Sequence, residues 1–177
     1  MKSQAIENQL DTVEHRWFAV YTRPKAEKIV VSQLAHKQVE SYLPIQKKVR
    51  KYTRKIRLVE LPLIGGYVFV KIIKSDYIKV LETEHILNFV KFSRNLIAIP
   101  EAEIDILRRI VGDETAEIEV EKTSFLEGDK VRIASGNLFG LEGKLVASKG
   151  KNKMVIELES LGYSMILTVD TTLLEKV

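Results

Sequence analysis

The sequence predicts an α+β chain, an antiparallel sheet flanked by helices and followed by a small all-β barrel. Three observations carry the prediction. From Trp17 to Gly112, apolar runs of strand length alternate with stretches whose apolar residues recur at helical spacing. From Gly128 to Val146, GDKVRIASGNLFGLEGKLV places glycines at 128, 136, 140 and 143 between alternating apolar residues, which describes short strands joined by turns that need positive φ. Between them, DETAEIEVEKTSFLE is dense in Glu, with few large apolar groups before Phe125, and reads as an exposed linker. The expected organisation is therefore a first domain over 16–112, a linker over 113–124 and a barrel over 125–177.

Along the first domain, WFAVY from Trp17 to Tyr21 is a buried strand bounded by Arg16 and by Thr22, Arg23 and Pro24. Pro24 suits a first helical turn, and Ala26, Ile29, Val30 and Leu34 then form the apolar stripe of a helix running to about Gln38. VESYLP, Val39 to Pro44, is a strand that leads into a charge run. LPLIGGYVFVKI from Leu61 to Ile72 is the most hydrophobic strand, Ser75 opens a short helix through Leu81, and FVKF from Phe89 to Phe92 is another strand. Pro100 starts the last helix, which carries Glu101, Glu103 and Asp105 near its positive end, Arg108 and Arg109 near its negative end, and stops at Gly112. In the barrel, Val131 and Ile133 share one strand face, Gly136 with Asn137 is a turn, and Leu145, Val155, Ile156 and Leu158 supply further strand faces.

Composition narrows the function. The 177 residues carry a net charge of +4, but Arg16 to Gly112 holds 19 Lys/Arg against 9 Asp/Glu while Asp113 to Val177 holds 8 against 12. A basic first part facing a polyanion and a mildly acidic second part facing something else, such as protein, is the reading that follows. The chain has no cysteine, which excludes disulfides, thiol nucleophiles and cysteine-ligated metals. No apolar run has the roughly 18 residues of a membrane span, and the first residues lack the apolar core of a signal peptide, so a cytoplasmic protein without membrane contact is expected.

The pattern Gly-Asp-x-Val-x-Ile-x-x-Gly-x-Leu-x-Gly-x-x-Gly beginning at Gly128 resembles the KOW motif. WFAVYTRPKAEKIVVSQL, the Tyr42-Leu43-Pro44 strand, PLIGGYVFV and FVKF resemble the N-terminal domain of the NusG family of transcription elongation factors. Within that family the compact Tyr-Leu-Pro and Gly-Tyr-Val-Phe-Val segments look most similar to the specialised RfaH and UpxY-type antiterminators. The resemblance implies an SH3-like KOW barrel and a non-catalytic, monomeric factor. It also implies that the first domain docks on the clamp coiled coil of RNA polymerase and that the KOW domain recruits a small-subunit ribosomal protein or the termination factor Rho. It further implies a docking pocket lined by Tyr21, Ile64, Tyr67, Phe69, Phe89 and Phe92, although the family's usual Phe-Pro before the Gly-Tyr pair is here Ile64 and Gly65. Read without the family, the same aromatics are an ordinary core, and it is the resemblance that makes an exposed apolar groove an equal alternative, since a sheet covered on one side buries only one of its two faces.

A second feature stands on its own. KKVRKYTRKIR, Lys47 to Arg57, has seven Lys or Arg in eleven residues and no acid. Such a run is a solvated hairpin tip or an anion-binding element. The absence of compensating carboxylates favours the second, with Tyr52 stacking on an unpaired base and Lys47, Lys48, Arg50, Lys51, Arg54, Lys55 and Arg57 meeting phosphates of DNA or RNA; the resemblance to the NusG family implies that this surface lies near the transcription bubble. Arg23 and Lys25 are candidates to join them. Catalysis is not expected: His15, His36 and His85 lack partners at metal-ligand spacing, Gly65-Gly66 lacks the rest of a dinucleotide fingerprint, and Gly143-Lys144 lacks the phosphate-loop context. No metal or cofactor is implied. Three readings remain: a polymerase-bound elongation or antitermination factor, an RNA- or ribosome-binding KOW protein, and an adaptor between proteins, which the basic run disfavours.

Overall fold

The computed structural model describes residues 8–92, 94–122, 128–148 and 151–177; the end of the expected linker and the start of the expected barrel, 123–127, lie outside them. The chain divides into two compact units, Met1–Glu101 and Ala102–Val177.

In the first unit, strand β1 (Arg16–Thr22) leads to helix α1 (Glu27–His36), β2 (Glu40–Tyr42), a hairpin of β3 (Ile45–Tyr52) and β4 (Lys55–Pro62), β5 (Tyr67–Ile72), a 3-10 turn into α2 (Tyr77–Leu81), and β6 (Ile86–Phe89). Four strands form one antiparallel sheet in the order β2-β5-β1-β6, and β3 with β4 forms a separate two-stranded ribbon. One sheet face carries Phe18, Val20, Val68, Val70 and Ile72, which close a core with Val30 and Leu34 of α1 and Val80 of α2. The opposite face is buried as well, at Trp17, Ala19 and Phe69. This double burial explains why β1 and β5 read as continuous apolar runs rather than as alternating ones.

Several element boundaries differ from the sequence reading, each for a local reason. Helix α1 begins three residues after Pro24 because Lys25 sits at φ 64, a left-handed conformation no helix continues through. Ala26, Val30 and Leu34 are buried as expected, while Ile29 is exposed. The apolar run from Leu61 to Ile72 is two strands, interrupted by a turn in which Gly66 takes φ +79. Strand β6 starts at Ile86 and ends at Phe89; Phe92 instead bridges to Asn95 around Arg94 at φ 72.

Helix α3 (Glu101–Gly112) starts at the last residue of the first unit and runs into the second, where its Ile104, Leu107 and Ile110 form a buried stripe. Six antiparallel strands follow: β7 (Ile118–Lys122), β8 (Asp129–Ile133), β9 (Glu142–Ser148), β10 (Lys151–Leu158), β11 (Tyr163–Thr168) and β12 (Leu174–Lys176), ordered β12-β8-β9-β10-β11-β7. Val131, Ile133, Leu141, Met154, Ile156, Leu158, Met165 and Leu167 are buried. Gly143 is required where β9 passes β10, because a Cβ there would lie 2.5 Å from the Val155 carbonyl oxygen. The acidic stretch read as linker holds β7, which pairs along β11 from Ile118↔Leu167 to Lys122↔Tyr163. Ile118 and Val120 alternate with Glu119 and Glu121 there, a period of two that the density of glutamates conceals.

Candidate functional site

The β3–β4 ribbon gives the basic run its geometry. Its register pairs Lys48↔Val59, Val49↔Leu58, Arg50↔Arg57, Lys51↔Ile56 and Tyr52↔Lys55 across a two-residue turn, Thr53-Arg54. Opposed residues share a face and neighbours along a strand do not. One face therefore collects Lys48, Arg50, Tyr52, Lys55 and Arg57, and the other Lys47, Val49, Lys51, Ile56, Leu58 and Glu60. Residues 47–58 are exposed throughout. Arg50 directly opposite Arg57 is a like-charge pair, which destabilises an isolated hairpin and is relieved by an anion between the two guanidinium groups. Tyr52, Thr53, Arg54, Lys55 and Arg57 line a concavity at the tip. Glu60, the ribbon's one acid, pairs with Lys28 of α1 at 3.1 Å. Among the described residues no carboxylate is in ion-pair contact with Lys48, Arg50, Lys51, Arg54, Lys55 or Arg57. Arg23 and Lys25 are exposed between β1 and α1.

The six apolar positions are not brought together as one lining. Tyr21 of β1 lies opposite Tyr67 of β5, ring centroids 5.0 Å apart and edge-on, with Tyr21 39% exposed and Tyr67 half-buried. Phe69 follows on the same face but is wholly buried, its ring tilted against Tyr42 at 6.3 Å. Phe89 pairs with Val20, which puts it on the opposite face, where it stacks on Tyr77 at 4.7 Å within the core. Ile64 is buried in the turn before Gly65, and Phe92 is exposed beyond the end of β6. The accessible members are thus Tyr21, Tyr67 and Phe92. Partly exposed tyrosine rings suit an interface that is apolar at its centre and wet at its edge.

Sequence reasoning missed a residue beneath this pair. Glu27, in the first turn of α1, is 5% exposed, and its Oε1 accepts the Gly66 N–H at 2.8 Å. A carboxylate in a helical first turn is common enough that nothing in the residue order marked it out. The face also has a polar tie: Trp17 Nε1–H donates to Glu101 at 2.7 Å, and Lys71 pairs with the same carboxylate at 3.3 Å. Among the described residues no cluster of three or more His, Cys, Asp or Glu is placed to hold a metal ion, and no helix is long and apolar enough to cross a membrane.

Residues 15–108, more than half of the chain, match the family model described as NusG, transcription termination factor nusG. The chain belongs to the NusG family. That family is one of transcription factors. The match spans the whole sheet of the first unit, the tyrosine pair and the ribbon, so every candidate residue above lies within the NusG region. A solved structure titled "Domain interaction in Thermotoga maritima NusG" superposes with a TM-score of 0.53 at 20% identity, covering 94% of this chain and 99% of that one, which is a likeness of fold. Conformation B of an MjSpt4:Spt5 complex aligns over 91% of this chain and 96% of that one at 20% identity, with a TM-score of 0.32. No curated protein matches.

Proposed function

We propose that this NusG-family chain is an elongation or antitermination factor of the specialised RfaH/UpxY type, which binds RNA polymerase through its first unit and recruits a further factor through a KOW domain in its second. The observation that carries the reading is the NusG match over 15–108, which encloses both an accessible aromatic pair and an exposed basic ribbon. Tyr21, Tyr67 and Phe92 form the contact for the clamp coiled coil, since a helix pair docks by laying apolar ridges against such rings. Phe69, Phe89 and Ile64 lie beneath and set the shape of that surface. The face of Lys48, Arg50, Tyr52, Lys55 and Arg57, with Lys47, Lys51 and Arg54 beside it and Arg23 and Lys25 nearer the sheet, meets DNA or RNA at the bubble. The second unit recruits a small-subunit ribosomal protein or Rho, with Phe139 exposed for such a contact. The factor performs no catalysis, needs no metal or cofactor, and acts as a cytoplasmic monomer.

A purified chain should capture core polymerase. Truncating an aromatic at an interface centre costs on the order of 2 kcal/mol, so Tyr21→Ala and Tyr67→Ala should each weaken capture about tenfold or more without unfolding the protein. A wild-type chain that ignores polymerase yet binds RNA through the ribbon would establish the second reading, a KOW protein working on RNA or ribosomes.

A further inference from the structure

We infer that Glu27 is a positioning residue for both candidate surfaces. The inference rests on the polymerase and nucleic-acid reading only for its functional consequence; its structural core stands on the first unit alone. Gly66 is held from both sides. Its N–H donates to the buried Glu27 carboxylate at 2.8 Å, and its carbonyl accepts the N–H of Thr22, itself buried, at 2.9 Å. Each clamped residue neighbours one ring of the aromatic pair: Thr22 follows Tyr21, and Gly66 precedes Tyr67. The turn that Gly66 completes, at φ +79, is also the joint at which the ribbon ends and the sheet resumes. The next residue of α1, Lys28, reaches the ribbon through Glu60 at 3.1 Å. Two consecutive side chains at the start of α1 therefore fix the base of the ribbon and the spacing of the rings at once.

The physical argument concerns what the turn would do without the carboxylate. A left-handed glycine joint between two strands has several accessible geometries, and a charge-assisted hydrogen bond from a buried acceptor selects one of them. Removing the acceptor leaves the Gly66 N–H without its buried partner, so the turn relaxes toward water and carries Tyr67 and the ribbon with it. Glutamine keeps an acceptor oxygen in the same place and should preserve the geometry.

The test compares E27A and E27Q in the full chain, at a temperature where denaturation curves show both folded. E27A should lose hydrogen-exchange protection at the Gly66 amide, weaken the nuclear Overhauser contacts between the Tyr21 and Tyr67 rings, and reduce capture of core polymerase about fivefold or more. E27Q should restore all three. Combined with Y67A, the E27A effect on capture should be much less than additive, which a loss of global stability would not produce. Unchanged Gly66 protection and ring contacts in folded E27A, with only a lower melting temperature, would overturn the inference. If the wild type does not bind polymerase, the functional reading has failed independently, and exchange and ring contacts still decide. Should E27A not fold, E27D, whose carboxylate is one methylene too short to keep the bond to the Gly66 N–H, takes its place, and undisturbed Gly66 protection and ring contacts in that variant would overturn the inference equally.

Discussion

Glu103 shows how one side chain makes stability depend on pH. Its Oε1 accepts from the Ser160 hydroxyl at 3.0 Å and from the Ser160 N–H at 3.3 Å, while its Oε2 is buried with no hydrogen-bond partner among the described residues. Burial pushes its pKa above the ordinary value of 4.5; the two Ser160 bonds oppose this, and the Glu159 charge adds to it. With the folded pKa raised above the unfolded one, the group's contribution is fully present below the unfolded pKa and is lost as pH rises through the folded pKa. Denaturant midpoints of the chain should thus fall as pH rises above about 4.5, and Glu103→Gln, which keeps an acceptor for Ser160, should flatten that decline. A parallel decline in the variant would assign the effect to other groups. Steric crowding gives a second residue-scale expectation. Gly143→Ala would set a Cβ 2.5 Å from the Val155 oxygen and 3.0 Å from Met154 Cε, which should destabilise by about 2 kcal/mol or more. Gly136→Ala meets no atom within 4 Å but must hold φ +86, and should cost only about 1 kcal/mol. Equal urea midpoints for the two variants would contradict the close approach of β9 and β10.

At the scale of elements, the basic ribbon shows where sequence reasoning stops. The run of cations was legible, as were the amphipathic helices, because charge density and helical spacing are properties of residue order alone. Which cations share a face was not, because the turn Thr53-Arg54 lacks the Asn-Gly or Asp-Gly signal that fixes a hairpin register, and a slip of one residue exchanges the two faces. The aromatics posed a similar limit. Period two separates Tyr67 and Phe69 from Val68 and Val70, but it could not show that β6 turns Phe89 toward the helices or that Phe69 lies fully buried beside the half-exposed Tyr67. With the register known, the faces can be tested separately. Arg50→Ala with Arg57→Ala removes two phosphate contacts from one face and should lower the salt slope of binding to a bubble-containing scaffold by about 1.4 to 1.8, evenly across nucleotide sequences. Val49→Ser with Leu58→Ser, on the other face, should leave that slope unchanged. If the second pair alters the slope and the first does not, the nucleic acid lies on the wrong side of the ribbon for this proposal.

For the whole molecule, helix α3 is where the boundary read from residue order and the boundary between the compact units part. Residue order ends the first domain at Gly112, where glycine stops the helix, whereas the compact units divide at Glu101. Within the second unit α3 is tied to the strands by Glu103 bonded to Ser160 and by Arg109 donating to the Phe139 carbonyl. Charge supports neither boundary over the other: Met1–Glu101 holds 18 Lys/Arg against 10 Asp/Glu and Ala102–Val177 holds 10 against 14, much the same contrast as before. Hydrophobic burial is the term that can decide. Ile104, Leu107 and Ile110 are fully buried, and at about 1.5 kcal/mol or more for each aliphatic side chain they contribute about 4.5 kcal/mol or more to whichever unit they pack on. A fragment of residues 102–177 should then melt more than roughly 10 °C above one of residues 113–177, since about 1 kcal/mol shifts a domain of this size by several degrees. Equal melting temperatures would return α3 to the first unit and restore the boundary at Gly112 that the sequence suggests. In that case the fragment ending at Gly112, rather than one ending at Glu101, is the piece that should carry polymerase capture on its own.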